Sequence, residues 1–194
     1  NPLKNIGLQN LDGVCKGNVK DDHSQVLKLL EYCPISAETP LIEIDDLTKE
    51  LHLKKIAFKD ERSRMNLGSF KALGAAYVIA KNAYLKIGEK IKDPKLSSKA
   101  LKGKTFVTAS AGNHGLSVAA GAKIFGAEAV IYLSVSVPSG FANKLRGYGA
   151  KVVIEGEDYE SSMSAAENAS KLNGWELLSD VTWDGYEGGI DVME

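Results

Sequence analysis

Residues 105–133 read TFVTA-SAGNHGLSVAAGAKIF-G-AEAVIYL, and this stretch decides the fold. Thr105–Ala109 is a β-rich run. A turn of small residues follows, then a helical stretch from Asn113 to Phe125 that Gly126 is suited to close. Ala127–Leu133 is the next apolar strand. Strand, helix and strand in so short a span form a βαβ unit with parallel strands. The rhythm then repeats. Helix Ser139–Tyr148 ends at Gly149, strand Lys151–Glu155 follows, helix Asp158–Leu172 ends at Gly174, and Trp175–Leu178 is a fourth strand. In the last helix Tyr159, Met163, Ala166, Ala169 and Leu172 recur at three- and four-residue spacing, as a core-facing stripe would. The expected fold class is α/β, with open parallel sheets, flanking helices and right-handed crossovers.

Upstream the pattern is looser. Asp21-Asp22-His23-Ser24 is placed to cap a short helix, Gln25 to Tyr32, which Pro34 stops. Thr39-Pro40-Leu41-Ile42-Glu43-Ile44 reads as extended, since a residue before Pro avoids the helical region. Leu53–Asp60 (LKKIAFKD) reads as a strand, and Ser69 as the N-cap of a helix from Ala72 to about Ile87. Lys81–Lys104 carries eight lysines against Glu89 and Asp93 and reads as a solvated connector. Its single aromatic, Tyr84, leaves little for nucleic-acid bases to stack on.

Composition narrows the function. The 194 residues hold 24 Lys+Arg and 25 Asp+Glu, a net charge of −1, so no global basic field exists to hold nucleic acid or an anionic membrane. At 44% hydrophobic and 25% charged, the chain is not disordered, collagen-like or a disulfide scaffold. The 19 glycines point to tight turns and close backbone approaches. Cys15 and Cys33 read as free thiols of a reducing compartment. His23, His52 and His114 are too scattered for a metal site. No apolar run reaches the ~18 residues of a membrane helix, and no signal peptide opens the chain. Asn1 stands where Met would begin a protein, so a processed or truncated polypeptide is expected.

Three segments can carry chemistry. Ser110-Ala111-Gly112-Asn113-His114-Gly115 follows a strand and opens a helix, where N–H groups and the helix dipole favour an anion. The same residues also suit an ordinary tight βα turn. Lys71 opens a helix between Phe70 and Ala72, although cations prefer the opposite helix end. Burial and a positive field favour the neutral, nucleophilic form of an amine, as Schiff-base chemistry needs. An exposed lysine with packed neighbours is the plainer reading. Asp180, in Ser179–Tyr186 after the fourth strand, is an acid or base at a crevice, or a turn residue capping its own backbone.

Together, Thr39-Pro40-Leu41, Lys59-Asp60-Glu61, Gly68-Ser69-Phe70-Lys71-Ala72-Leu73-Gly74 and Ser110–Gly115 resemble, in order and spacing, the fold-type-II pyridoxal-phosphate enzymes, the group of threonine dehydratase and tryptophan synthase β. Leu67–Tyr77 (LGSFKALGAAY), Asn113-His114-Gly115 and the run from Gly174-Trp175-Glu176 to Trp183-Asp184-Gly185-Tyr186 look most like diaminopropionate ammonia-lyases. The resemblance covers about residues 32–190.

The resemblance implies a three-layer fold whose smaller domain is complete and whose larger domain is partial. Residues 1–75 would belong to the larger domain, 76–178 to the smaller, and 179–194 would return toward the larger. It implies pyridoxal 5'-phosphate as cofactor, with Lys71 as its Schiff-base lysine and proton-abstracting amine. Asp180 would be an acid near the substrate. Phe70 would pack by the cofactor ring, and Asn113 would hydrogen-bond its phenolic oxygen. Ser110, Ala111, Gly112 and His114 would line the substrate carboxylate site. The implied reaction is α,β-elimination of ammonia from 2,3-diaminopropionate to pyruvate and ammonia. A threonine or serine dehydratase and a non-catalytic truncated homologue are the alternatives. The implied setting is cytoplasmic, with a small amino acid as partner, neither nucleic acid nor membrane, no metal, and a homodimer in the full-length enzyme. Ala111 stands where ammonia-lyases often carry an Asp implicated in handling the D-isomer, which counts against D-substrates. Ala75 replaces a frequent Gly. Family members bind the cofactor phosphate with a Gly-rich loop well downstream and the pyridine nitrogen beyond it. Gly188-Gly189 is too short to be that loop, so an N-terminal portion of an enzyme is expected.

Overall fold

Parallel strands are covered on both faces and so read as continuous apolar runs. Phe106, Val107, Thr108 and Ile131 accordingly lose all contact with water. The computed structural model describes residues 23–183 and 185–193, without the side chains of Ile190, Asp191 and Met193. Cys15, Asp21, Asp22 and Asp184 lie outside the described residues. The elements in order are α1 (Ser24–Glu31), β1 (Leu41–Glu43), α2 (Asp45–Glu50), β2 (Ala57–Lys59), α3 (Lys71–Ile87), α4 (Pro94–Ser97), β3 (Thr105–Ala109), α5 (Asn113–Phe125), β4 (Glu128–Leu133), α6 (Ser139–Gly147), β5 (Lys151–Ile154), α7 (Tyr159–Asn173), β6 (Glu176–Leu177) and α8 (Gly188–Met193).

Strands β3 to β6 form a parallel sheet in the order β5-β4-β3-β6. Alternation along β3 assigns its faces. Phe106 packs with Ile79 of α3, Leu116 and Val118 of α5, and Leu145 of α6. Val107 and Ala109 face the other way, with Ala166 and Ala169 of α7. Helices on both faces make three layers. The sheet grows from β3 through β4 to β5, then reverses to lay β6 on the other side of β3. In open α/β sheets the ligand crevice lies at such a reversal, beyond the carboxyl ends of the strands.

Small residues bring α3 and α5 close. A Cβ on Gly121 would lie 3.0 Å from Ile79 Cδ1 and 3.3 Å from Ala76 Cα. Ser117 Oγ accepts the Ala76 N–H at 3.2 Å and donates to the Ala72 carbonyl at 3.4 Å. This contact seats the first turn of α3 beside the start of α5. The motif residues upstream serve the β1–β2 pair instead. Arg64 forks onto both carboxylate oxygens of Glu61 at 2.6 and 2.9 Å and reaches Thr39 Oγ1 at 2.8 Å. Lys59 Nζ donates to the Thr39 carbonyl.

Several expectations change. The strand expected over Leu53–Asp60 is paired only at Ala57–Lys59, because β1 offers three partners, and antiparallel ones. The stripe on α7 is turned: Ser162, Ala166 and Ala169 face the core, while Tyr159 and Leu172 are 47% and 85% exposed. The Lys81–Lys104 connector is anchored, with Ile91, Ala100 and Leu101 in the core. Asp158 caps α7 in a capping box with Ser161, and Gly126 and Gly174 close their helices in the left-handed conformation. Among the described residues no helix is long and apolar enough to cross a membrane.

Candidate active site

Three segments meet beyond the carboxyl ends of β3 and β6. The first is the start of α3. The helix begins at Lys71, so Phe70 is its N-cap and Ser69 stands one position earlier than expected. Ser69 still serves this end: its Oγ accepts the Lys71 N–H at 3.2 Å and its carbonyl the Ala72 N–H at 3.1 Å. Lys71 is half-buried, and Phe70 is 62% exposed.

The second segment is the turn from β3 into α5. Gly112 is the N-cap and has no side chain to cap with. Ser110 Oγ folds across the turn and accepts the N–H groups of Gly112 at 3.3 Å and Gly115 at 3.0 Å. A Cβ on Gly115 would come within 2.8 Å of the Ser110 carbonyl, so only glycine allows this closure. Ala111 and Asn113 are exposed, on the open side of the turn, whereas His114 is buried.

The third segment is the end of β6. His114 Nε2 lies 2.9 Å from the Leu178 carbonyl. A carbonyl only accepts, so Nε2 carries the proton. Burial holds His114 below the usual histidine range, against the opposing pull of that carbonyl and of Asp180. Two residues on, the Asp180 carboxylate accepts a hydrogen bond and ion pair from Lys71 Nζ, joining groups 109 residues apart. Burial works against ionisation of Asp180. The Lys71 ammonium and the field of His114 outweigh it and hold the carboxyl below the usual range.

A lysine at a helix N-terminus meets the positive end of the dipole. Here a carboxylate from the segment after β6 compensates for that placement. The pair leaves an amine with an adjacent proton acceptor, beside backbone N–H groups at the start of α5. An amine can attack a carbonyl carbon, and the turn suits an anionic group. Lys71, His114 and Asp180 are thus brought together, while Ser110 closes the neighbouring turn. Tyr186, which the sequence pattern gives no role, reaches its phenol back to the end of β6. The only advance signal was an aromatic pair flanking a glycine just past a strand.

Known proteins supply an independent line. The family described as "Pyridoxal-phosphate dependent enzyme" matches residues 34–190. Diaminopropionate ammonia-lyase of Salmonella typhimurium is 34% identical over 171 residues, covering 84% of this chain and 42% of that protein. The catabolic L-threonine dehydratase TdcB of Staphylococcus aureus is 30% identical over 173 residues, covering 89% of this chain and 44% of its own length. A crystal structure of the Escherichia coli diaminopropionate ammonia-lyase in complex with D-serine superposes with a TM-score of 0.76 at 31% identity, covering 88% of this chain and 45% of that one. The chain therefore spans about two fifths of the length of the curated relatives it matches.

Proposed function

The chain belongs to the pyridoxal-phosphate-dependent enzymes, and from that premise we propose that the protein is a lyase eliminating ammonia from 2,3-diaminopropionate. Pyridoxal phosphate is its cofactor. The residues present suit the carbonyl end of such a group. A half-buried primary amine stands against a carboxylate, and the start of α5, with Ala111 and Asn113 exposed, lies beside them. Lys71 would hold the cofactor covalently, Phe70 and Asn113 would meet its ring, and Ser110, Ala111, Gly112 and His114 would receive the substrate carboxylate. When bound, the cofactor supplies an electron sink for the pair left on Cα after its proton departs.

The chain's own residues supply the rest. Lys71 Nζ takes the Cα proton once it is free as an amine. Asp180 holds Lys71 in place and shares the proton at Nζ. Ser110 keeps the turn closed, so that the α5 N–H groups stay aimed at the carboxylate. His114 contributes no acid from Nε2, which Leu178 occupies. It joins the two strand ends instead. The reaction balances as 2,3-diaminopropionate plus water giving pyruvate and two ammonia. The observation that carries the reading is the Lys71–Asp180 pair at the sheet's reversal point.

The dehydratase reading keeps the same residues and changes the leaving group to hydroxide. The match to the staphylococcal threonine dehydratase favours it. One experiment separates the two. The intact protein, loaded with pyridoxal phosphate, is given 2,3-diaminopropionate or L-threonine, with Lys71→Ala as control. Pyruvate from the first alone, absent in the control, is the expected outcome. 2-Oxobutyrate from threonine alone would replace the lyase reading with the dehydratase one.

A further inference from the structure

Asp180 stands beyond the last paired residue of β6, in a segment that is neither helix nor strand. The register with β3 ends at Val107 opposite Leu177. The inner side of the continuing chain is held by β3 and α5: the Leu178 N–H donates to the Val107 carbonyl at 2.9 Å, and the Leu178 carbonyl takes His114. The outer side is a sheet edge, where the Leu177 carbonyl and the Ser179 N–H point away from β3. Tyr186 serves both. Its hydroxyl accepts the Ser179 N–H at 2.8 Å and donates to the Leu177 carbonyl at 3.1 Å. One hydroxyl therefore replaces the missing neighbouring strand, because it can donate and accept at once.

The phenol is itself held from three sides. Trp183 stacks on it with ring centroids 4.4 Å apart. Backbone hydrogen bonds of 3.2 and 2.9 Å close the turn between Trp183 and Tyr186. Gly188 passes directly beneath, where a Cβ would lie 2.5 Å from the phenolic oxygen. Burial pushes the phenol's pKa up, so it keeps the proton it donates. Past this point α8 returns to α3: Gly74, three residues after Lys71, meets Val192, and a Cβ there would lie 2.6 Å from the Val192 carbonyl. The segment after β6 thus meets both the first turn of α3, which Lys71 opens, and the strand end that leads into Asp180.

We infer that Tyr186 is a positioning residue of the active site, whose hydroxyl splints the end of β6 so that Asp180 stays on Lys71. The inference rests on the lyase reading for its kinetic consequence, and on geometry alone for its structural one. Tyr186→Phe keeps the ring and its stacking on Trp183 and removes only the hydroxyl. In the intact protein loaded with pyridoxal phosphate, Tyr186→Phe should retain cofactor uptake and hold KM for 2,3-diaminopropionate within about threefold. Its kcat should fall by about 10- to 100-fold, the scale of a misplaced catalytic group. In an Asp180→Asn background the same change should cost less than about twofold, because the two residues act through one contact. Losses that simply multiply in the double variant, or an unchanged kcat in Tyr186→Phe, overturn the inference. Should Tyr186→Phe not fold, Gly188→Ala, which displaces the phenol, replaces it with the same expectations. If the wild-type protein makes no pyruvate, the lyase reading fails while the inference remains decidable. The Asp180 carboxyl, titrated by carbon-13 NMR, should move up toward the ordinary aspartate range in Tyr186→Phe. A midpoint that stays where it is in the wild type sinks it.

Discussion

Lys71 sits where a cation is least welcome on a helix, and Asp180 is what makes the position tolerable. His114 links the same two regions by a different bond. It is 2% exposed, its Nε2 proton is given to the Leu178 carbonyl, and burial keeps its pKa below the ordinary 6.5. The pH consequence follows from linkage. A histidine held low binds its proton more weakly in the folded state than in the unfolded one, so acid favours unfolding. Stability should therefore begin to fall as pH drops below about 6.5. It should fall again where depressed carboxylates are protonated, Glu61 between about 4.5 and 2, held there by Arg64. Asp180 is depressed as well and acts in the same direction. Thermal unfolding followed from pH 7.5 to 3 reads both legs. His114→Ala should erase the first leg and cost roughly 1–3 kcal/mol at pH 7.5, the penalty of a buried carbonyl left unpaired. A first leg that survives the substitution would assign it to another group. At this scale Lys71, Ser110, His114 and Asp180 were legible because each stands at a strand end or helix start, where local pattern gives position. The pairing of Lys71 with Asp180 was not, since it depends on which strand lies beside β3. Tyr186 was unreadable for the same reason: its partners, Ser179 and Leu177, lie behind it in the chain and come into reach only through a turn.

Elements with a buried face announced themselves; of those without one, the exposed β1 and β2 lie in segments that read as extended, and α2 does not read as a helix. From Thr105 to Leu178 every expected element is present, with ends shifted by at most one residue, because each has a face or run committed to the core. Upstream, α2 has no buried residue and hence no apolar period to detect. Its supports are Asp45 and Asp46 in the first turn and the Thr48 hydroxyl, which donates to the Ile44 carbonyl at 2.6 Å. Helices α3 and α5 meet through small residues. Gly121 admits Ile79 there, and a larger side chain must push the two helices apart. Gly121→Val should destabilise the protein by about 1–3 kcal/mol, the usual penalty of overpacking. Because Lys71 begins α3, the same substitution should weaken cofactor uptake before the protein unfolds. Urea unfolding beside a cofactor titration measures both. Unaltered stability in Gly121→Val would mean that the helix contact is looser than its geometry implies.

Across the whole molecule, solidity is uneven. Strands β3 and β4 lie under helices on both sides, whereas all six residues of β1 and β2 are exposed. Exposed ladders open locally at little cost, while a doubly covered sheet opens only with the fold. Amide hydrogen exchange should be fast at 41–43 and 57–59 and slowest at 106–109 and 129–133. Equal protection in the two sheets would contradict this division. The fold class was visible in the sequence because βαβ rhythm is a local property. The reversal that places β6 beside β3 was not, because strand order is decided by packing among distant segments. That order also governs the timing of synthesis. A ribosome adding about 5–20 residues per second delivers Asp180 roughly 5–20 s after Lys71, the two being 109 residues apart. During that interval the nascent chain can assemble β3, β4 and β5, with one edge of β3 open and the lysine lacking its counter-ion. The Lys71–Asp180 pair therefore forms only after those three strands have emerged, and until then the growing polypeptide carries Lys71 without its partner.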